Sequence, residues 1–239
     1  AFRLARTVNG HDLCRIAAHF HASFMAGRPT VRAYCMLSQA HDVGAPSLLD
    51  ALRTGTALLH VALEKRMPFF SERLDADWCQ RLLQAYHGFY APMEAALYAS
   101  ARIPNGFDAA SRVKTPTLLS DLHALGLNDA AIHALPYCTA LPRLDTPAAC
   151  LGTLYVLEGA TLGGQVLRRE MARRLGIDAD NGGAFLDVYG AETGRRWKDF
   201  LDYLGNQALD AKARQRAVDA ARSTFSCFER WLDSQEVLQ

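Results

Sequence analysis

Apolar residues along this chain recur at three- and four-residue intervals, and strict two-residue alternation is scarce, so the pattern predicts an all-α protein. Ser47, with Asp50 three residues on, opens a helix whose apolar stripe runs through Leu48, Leu52, Leu59 and Leu63 until Pro68 closes it. A second helix is expected over residues 77–100, with Trp78, Leu82, Tyr86, Phe89, Met93 and Leu97 on one face and a kink at Pro92. A shorter one follows Thr117, carries Leu118, Leu119, Leu122 and Leu125, and stops at Gly126. Residues 134–147 hold three prolines and read as a connector. A long helix then runs from near Thr146 to about Leu175, ended by Gly176. Beyond the glycine-rich loop at 180–183, helices are expected at 185–189, at 197–204 and at 208–232, the last with Val218, Ala221, Phe225, Phe228 and Leu232 in register.

Residues 1–46 differ: they are richer in His and Arg, show weaker periodicity and end in Gly44-Ala45-Pro46. They read as an N-terminal extension, within which Met36 is a candidate natural start, and 47–239 as one helical domain, a size that suits 239 residues in all. Arg3 and Arg6 are followed by Asn9, His11 and Asp12 before any apolar run, so no secretory signal is read there. Residues 148–167 are about as long as a bilayer span, but Thr153, Glu158, Thr161 and Gln165 interrupt them, and no membrane role is expected.

Charge narrows the partners. Lys and Arg number 26 against 25 Asp and Glu, a formal net charge of +1, which supplies no field for nucleic acid. The six cysteines are scattered without a CxxC pair, as free, mostly buried thiols in a reducing cytoplasm would be. His19 and His21 lack further close ligands and are read as incidental.

The first chemical signal lies on the first helix. Arg53, Thr56, His60 and Glu64 fall on one stripe, placing a histidine with a hydroxyl one turn before it and a carboxylate one turn after it. Glu64 can accept from the ring nitrogen that a ligated iron does not use. A helical histidine with a glutamate at i+4 is, by itself, more often simply a satisfied core or surface residue. The second signal is Gly159, Gly163 and Gly164 inside a strongly apolar helical run. Each costs roughly 1 kcal/mol relative to alanine in a helix interior. The run therefore answers either to a kink or close backbone approach by something flat, or to small-residue helix packing. Together the two signals suggest a planar cofactor between a histidine helix and a glycine helix, and haem fits.

Five motifs in order then resemble the haem oxygenase family. They are the LRxxTxxxHxxxE run around His60, FYxPxE at 89–94, LLxDLxxLG at 118–126, LYVLEGxTLGGQV at 154–166 and WKDF at 197–200. They look most like the bacterial subgroup that includes partners of bacteriophytochromes. The resemblance implies a single-domain multi-helix bundle with haem between a proximal helix and a kinked distal helix. It implies His60 as iron ligand with Glu64 behind it, and Gly159, Gly163 and Gly164 as catalytic distal backbone. It further implies Arg53 and Lys198 on the propionates, with Thr56 and Tyr155 also lining the cofactor.

The activity implied is oxygen- and reductant-dependent opening of haem to biliverdin, with release of iron and carbon monoxide. Haem is then both cofactor and substrate, O2 the co-substrate, an external ferredoxin or reductase the electron donor, and a bilin-accepting phytochrome a partner. One departure stands out: many relatives carry aspartate directly after the first distal glycine, where this chain has Ala160. That favours the rival reading, a non-catalytic haem-binding or haem-sensing protein on the same fold. A haem-free helical interaction module would leave the His60 stripe and the glycines without a cause.

Overall fold

The computed structural model describes residues 46–68, 71 and 74–239, and these hold α-helices and short 3-10 turns with no strand. The expectations made for residues 1–45, including Cys14, Cys35, His19, His21 and Met36, lie outside the described residues. The helices are α1 (Leu48–Arg66), α2 (Ala76–Ala99), α3 (Thr115–Ala124), α4 (Asp129–His133), α5 (Pro147–Leu175), α6 (Thr193–Gly205) and α7 (Ala211–Ser234).

Local chemistry explains most boundaries. The Ser47 hydroxyl accepts from the Asp50 N–H, Asp75 caps Trp78, Thr146 caps Ala149 with Pro147 in the first turn, and Asp210 caps Ala213. Gly176 ends α5 in the left-handed region at φ 68°, where a side chain would be strained. Helix α2 is continuous through Pro92.

Four expectations change. The last helix begins at Ala211 rather than 208 because Asp210 supplies its cap, and α6 begins four residues earlier than expected, at Thr193. Residues 185–189 form no α-helix. Residues 185–187 lie in a 3-10 turn at Ala184–Asp187, held by the Asp121 carboxylate accepting from the Ala184 and Phe185 N–H groups, and 188–189 form a plain turn before a second 3-10 turn at Gly190–Glu192. A short helix at Asp129–His133, capped by Asn128, falls where none was expected; five residues are too few to show a period.

The core is organised by α7, which packs on α5 and on α1. At the α5–α7 crossing, a Cβ added to Gly152 would overlap the Ala217 carbonyl, so the two backbones are in direct contact. Beside it, the Thr153 and Thr224 hydroxyls bond to each other at 3.1 Å. On the adjacent face of α7, Val218 fills the space a side chain at Gly55 of α1 would need. Tyr86, Phe89, Phe185 and Phe228 join α2, the first 3-10 turn of the 184–192 loop and α7 through ring contacts. The chain end ties back onto the bundle: Trp78 donates to the Val237 carbonyl, Gln239 N–H to the Arg66 carbonyl, and Arg66 pairs with Glu229 and Asp233. Helices α1 and α5, by contrast, barely meet; each leans instead on α7 and α6. No helix among the described residues is long and apolar enough to cross a membrane.

Two predictions follow from packing and burial. Gly152→Ala should destabilise by roughly 3 kcal/mol or prevent folding, since overpacking here meets backbone rather than a yielding side chain. Gly194→Ala, where a Cβ meets open space, should be neutral or stabilise by up to about 1 kcal/mol. Urea denaturation of the two variants checks both.

His87 is buried beside Tyr137 with its Nδ1 lacking a hydrogen-bond partner, and burial, helped by His133, pushes its pKa below the ordinary 6.5. The unfolded chain therefore binds a proton that the folded one resists. This site should cost no stability above pH 6.5 and a growing amount as pH falls below it. His87→Leu should lose less stability than the parent between neutral pH and pH ~5.5, as denaturation at the two pH values will show.

Candidate active site

The inner stripe of α1 begins deep and ends nearer solvent. Thr56 is fully buried and its hydroxyl donates to the Leu52 carbonyl at 2.8 Å. One turn on, the His60 side chain is 25% exposed, with Nδ1 3.4 Å from Oε2 of the half-buried Glu64. Phe225 of α7 stands edge-on to the imidazole, ring centroids 5.9 Å apart at 71°. The histidine is thus turned by two neighbours: a carboxylate facing Nδ1 and an aromatic edge restricting the ring plane.

On α5, Tyr155, Gly159 and Gly163 share one face at successive four-residue steps. Tyr155 is buried against Trp197 of α6, centroids 5.9 Å apart. Burial drives its hydroxyl well above the ordinary phenol range, while the Thr56 hydroxyl and the Arg53 charge on α1 pull the other way. Tyr155 is therefore the point at which the α5 stripe reaches the α1 stripe. Arg53 itself holds a buried Nε with no hydrogen-bond partner.

The three glycines divide by what a side chain would meet. At Gly159 a Cβ would make ordinary contact with Trp197 at 3.7 Å. At Gly164 it would come within 2.5 Å of the Leu186 carbonyl, so that glycine has a packing reason of its own, the close passage of the Ala184–Asp187 turn. Gly163 is half-exposed on the Tyr155–Gly159 face, Ala160 is exposed, and Lys198 stands exposed on α6 next to Trp197. The structure thus gathers Arg53, Thr56, Tyr155, Trp197 and Gly159, with His60 and Glu64 further along α1. No polar contact among the described residues joins Lys198 to them.

Sequence reasoning missed a buried charge cluster directly before Gly159. Glu158 is 1% exposed and uses both oxygens: Oε2 accepts from Arg112 Nη1 at 2.5 Å and Oε1 from Lys114 Nζ at 2.6 Å, while the Tyr189 hydroxyl reaches both. Arg112 also donates to the Arg196 carbonyl of α6. Glu94 of α2 accepts from the N–H groups of Lys114 and Thr115 and from the Thr115 hydroxyl. Two cations and two carboxylates therefore balance in the interior. The available signal was Glu158 itself, since a charge within an apolar run must find partners; nothing local marked Arg112 or Lys114 as those partners.

Comparison with known proteins agrees with this architecture. The family model for heme oxygenase matches residues 46–234. A curated heme oxygenase from Xanthomonas campestris pv. campestris (strain 8004) is 30% identical over 168 residues, 68% of this chain and 93% of that protein. Among solved structures, heme oxygenase from Leptospira interrogans superposes with a TM-score of 0.67 at 19% identity, covering 79% of this chain and all of that one. Heme oxygenase-1 from the cyanobacterium Synechocystis sp. PCC6803, solved in complex with heme, gives 0.64 at 14% identity over 80% of this chain and 93% of that one. At these identities the structural likeness speaks for the fold.

Glu158→Leu should cost roughly 3–5 kcal/mol, because it leaves Arg112 and Lys114 as uncompensated buried cations. Replacing Glu158, Arg112 and Lys114 together by apolar residues should recover part of that loss. Denaturation midpoints of the single and triple variants check the pair of expectations.

Proposed function

The chain belongs to the haem oxygenase family, a family of oxidative haem-degrading enzymes, and from that premise we propose that it binds haem between α1 and α5 and opens the ring to biliverdin. The observation that carries the reading is the way α1 and α5 lean on shared neighbours, with Tyr155 of α5 reaching Thr56 and Arg53 of α1. In this reading the His60 stripe and the Gly159–Gly163 face would flank the flat ligand. Bound there, haem supplies both the redox iron and the ring to be oxidised, with O2 as co-substrate, electrons from an external ferredoxin or reductase, and iron and carbon monoxide released.

The chain's residues hold, orient and shield. His60 would ligate the iron through the nitrogen turned away from Glu64, whose carboxylate facing Nδ1 would fix the tautomer and raise ligand basicity. Phe225 limits rotation of the imidazole about its ligating direction. Gly159 and Gly163 present backbone without side chains, so α5 can lie close over the ring and still leave room for a small gas. Trp197, 3.7 Å from where a Gly159 Cβ would sit, borders that face. Arg53, whose buried Nε lacks a partner, suits a propionate, with Thr56 and Tyr155 adding hydroxyls at the same corner. Lys198, exposed on α6, takes the second propionate at the open edge. Gly164 contributes by holding α5 on the Ala184–Asp187 turn.

Residues 47–239 form the working domain and 1–46 an extension of it. The four described cysteines, all buried and unbridged, suit a reducing cytoplasm. An electron-donor protein is the required partner, and a bilin-accepting phytochrome the natural recipient of the product. The exposed Ala160, where the resemblance expects an aspartate, supports a second reading in which the same site binds or senses haem without turnover. Haem titration followed by reductant under air separates them. Replacement of the haem band by bilin absorption is expected; a stable ferrous complex supports the sensor, and no haem binding overturns both.

His60→Ala should keep the parent's fold, with a stability change within about 1 kcal/mol for this partly exposed position. It should lose the parent's ferric haem spectrum together with turnover. Absorption spectra of the two proteins at equal haem loading check this, and an unchanged spectrum in the variant would move the iron ligand elsewhere.

A further inference from the structure

Between α4 and α5, residues 134–146 run without helix, and every one of them is exposed or half-exposed except Cys138. Cys138 pins this connector to the bundle. Its N–H donates to the Gly88 carbonyl of α2 at 2.8 Å, and its Sγ lies 3.7 Å from Sγ of Cys227 on α7. The Cys227 thiol in turn reaches the Ala140 carbonyl at 3.2 Å, back on the connector. The two thiols are 6% and 4% exposed. The other described cysteines stand apart from them: Cys150 contacts Ser100, and Cys79 lies in the field of Asp75 and Arg174.

We propose that Cys138 and Cys227 form a thiol–disulfide site that a hydroperoxide oxidises, converting the connector's one buried anchor into a covalent staple to α7. The sulfurs need approach each other by less than about 2 Å to reach bonding distance. In the step, the two S–H bonds break, one S–S bond forms and two electrons leave. With hydrogen peroxide as oxidant, its O–O bond breaks and two waters carry away the hydrogens.

Burial sets the rate. It pushes the Cys227 thiol up to about 12, so the closed protein holds almost no thiolate to attack a peroxide. Reaction then depends on local opening of the connector, a segment with one buried residue and few backbone bonds to the bundle, which places it at the low-stability end of the molecule. The site is therefore slow and gated rather than a fast sensor. Once formed, the bond joins positions 89 residues apart, and by restricting the unfolded chain it raises the melting temperature.

The test uses the full-length, haem-free, fully reduced chain. It is exposed to hydrogen peroxide, and in parallel to the diazene oxidant diamide, which accepts the same two hydrogens to become a hydrazine. Free thiols are then alkylated and the chain is digested. A peptide joining Cys138 to Cys227, two hydrogens lighter than its parts, is expected as the main crosslink. A raised thermal midpoint should accompany it, and dithiothreitol should reverse both. Cys227→Ser should remove crosslink and midpoint shift alike, and the peptide map of the parent stands without the variant should that one fold poorly. Crosslinks confined to other cysteines, or full alkylation at Cys138 and Cys227 after both oxidants, would overturn the proposal.

Discussion

Backbone contact between α5 and α7 at Gly152 and Ala217 sets the spacing on which the candidate site depends. Because Gly152 puts no side chain between the helices there, their backbones touch, and the neighbouring Thr153–Thr224 bond fixes rotation as well as distance. Helix α1 is seated on the adjacent face of the same α7, through Val218 against Gly55. The two walls of the site are therefore positioned by a shared neighbour and not by each other. That is how the bundle sets the relation of α1 to α5 although the two barely meet.

A second constraint acts at the far end of the buried half of α5. Taking Glu158, Arg112, Lys114 and Glu94 out of water costs several kcal/mol per ion, and close, fully partnered geometry is needed to offset it. A cluster of this kind adds little net stability compared with apolar packing, but it penalises any displacement that separates the charges. Its partners come from α2, from the segment before α3, and from the loop and helix that carry Tyr189 and Arg196. Position is what it secures, at the residue that precedes Gly159.

What could be read from the sequence was local or periodic. Ser47, Thr146 and Gly176 signal helix ends by chemistry acting within three or four residues, and they hold in the structure. The spacing of His60 and Glu64 is likewise a property of one helix, and the two side chains meet as that spacing requires. What escaped was long-range. Gly164 answers to Leu186, Glu158 to Arg112 and Lys114, and Arg53 and Thr56 to Tyr155, pairings that periodicity within a segment cannot express. The Asp129–His133 helix was too short to show a period, and the 3-10 turns after Gly183 depend on Asp121, more than sixty residues earlier. The ordered set of motifs conveyed the family because it sums many such distant pairings without naming them.

Helix α5 behaves mechanically as a beam with unlike supports. Residues 148–158 are buried without exception, which builds that end rigidly into the core. Support resumes with the buried pair Leu167 and Met171, leaving a half-exposed span of about 13 Å between the two bearings. Within it the Gly164–Leu186 contact supports one side, and Gly163 and Gly164 lower the bending stiffness near mid-span. A ligand pressing on that span would be met by flexure there, while the buried end at 148–158 would keep its seat on α7.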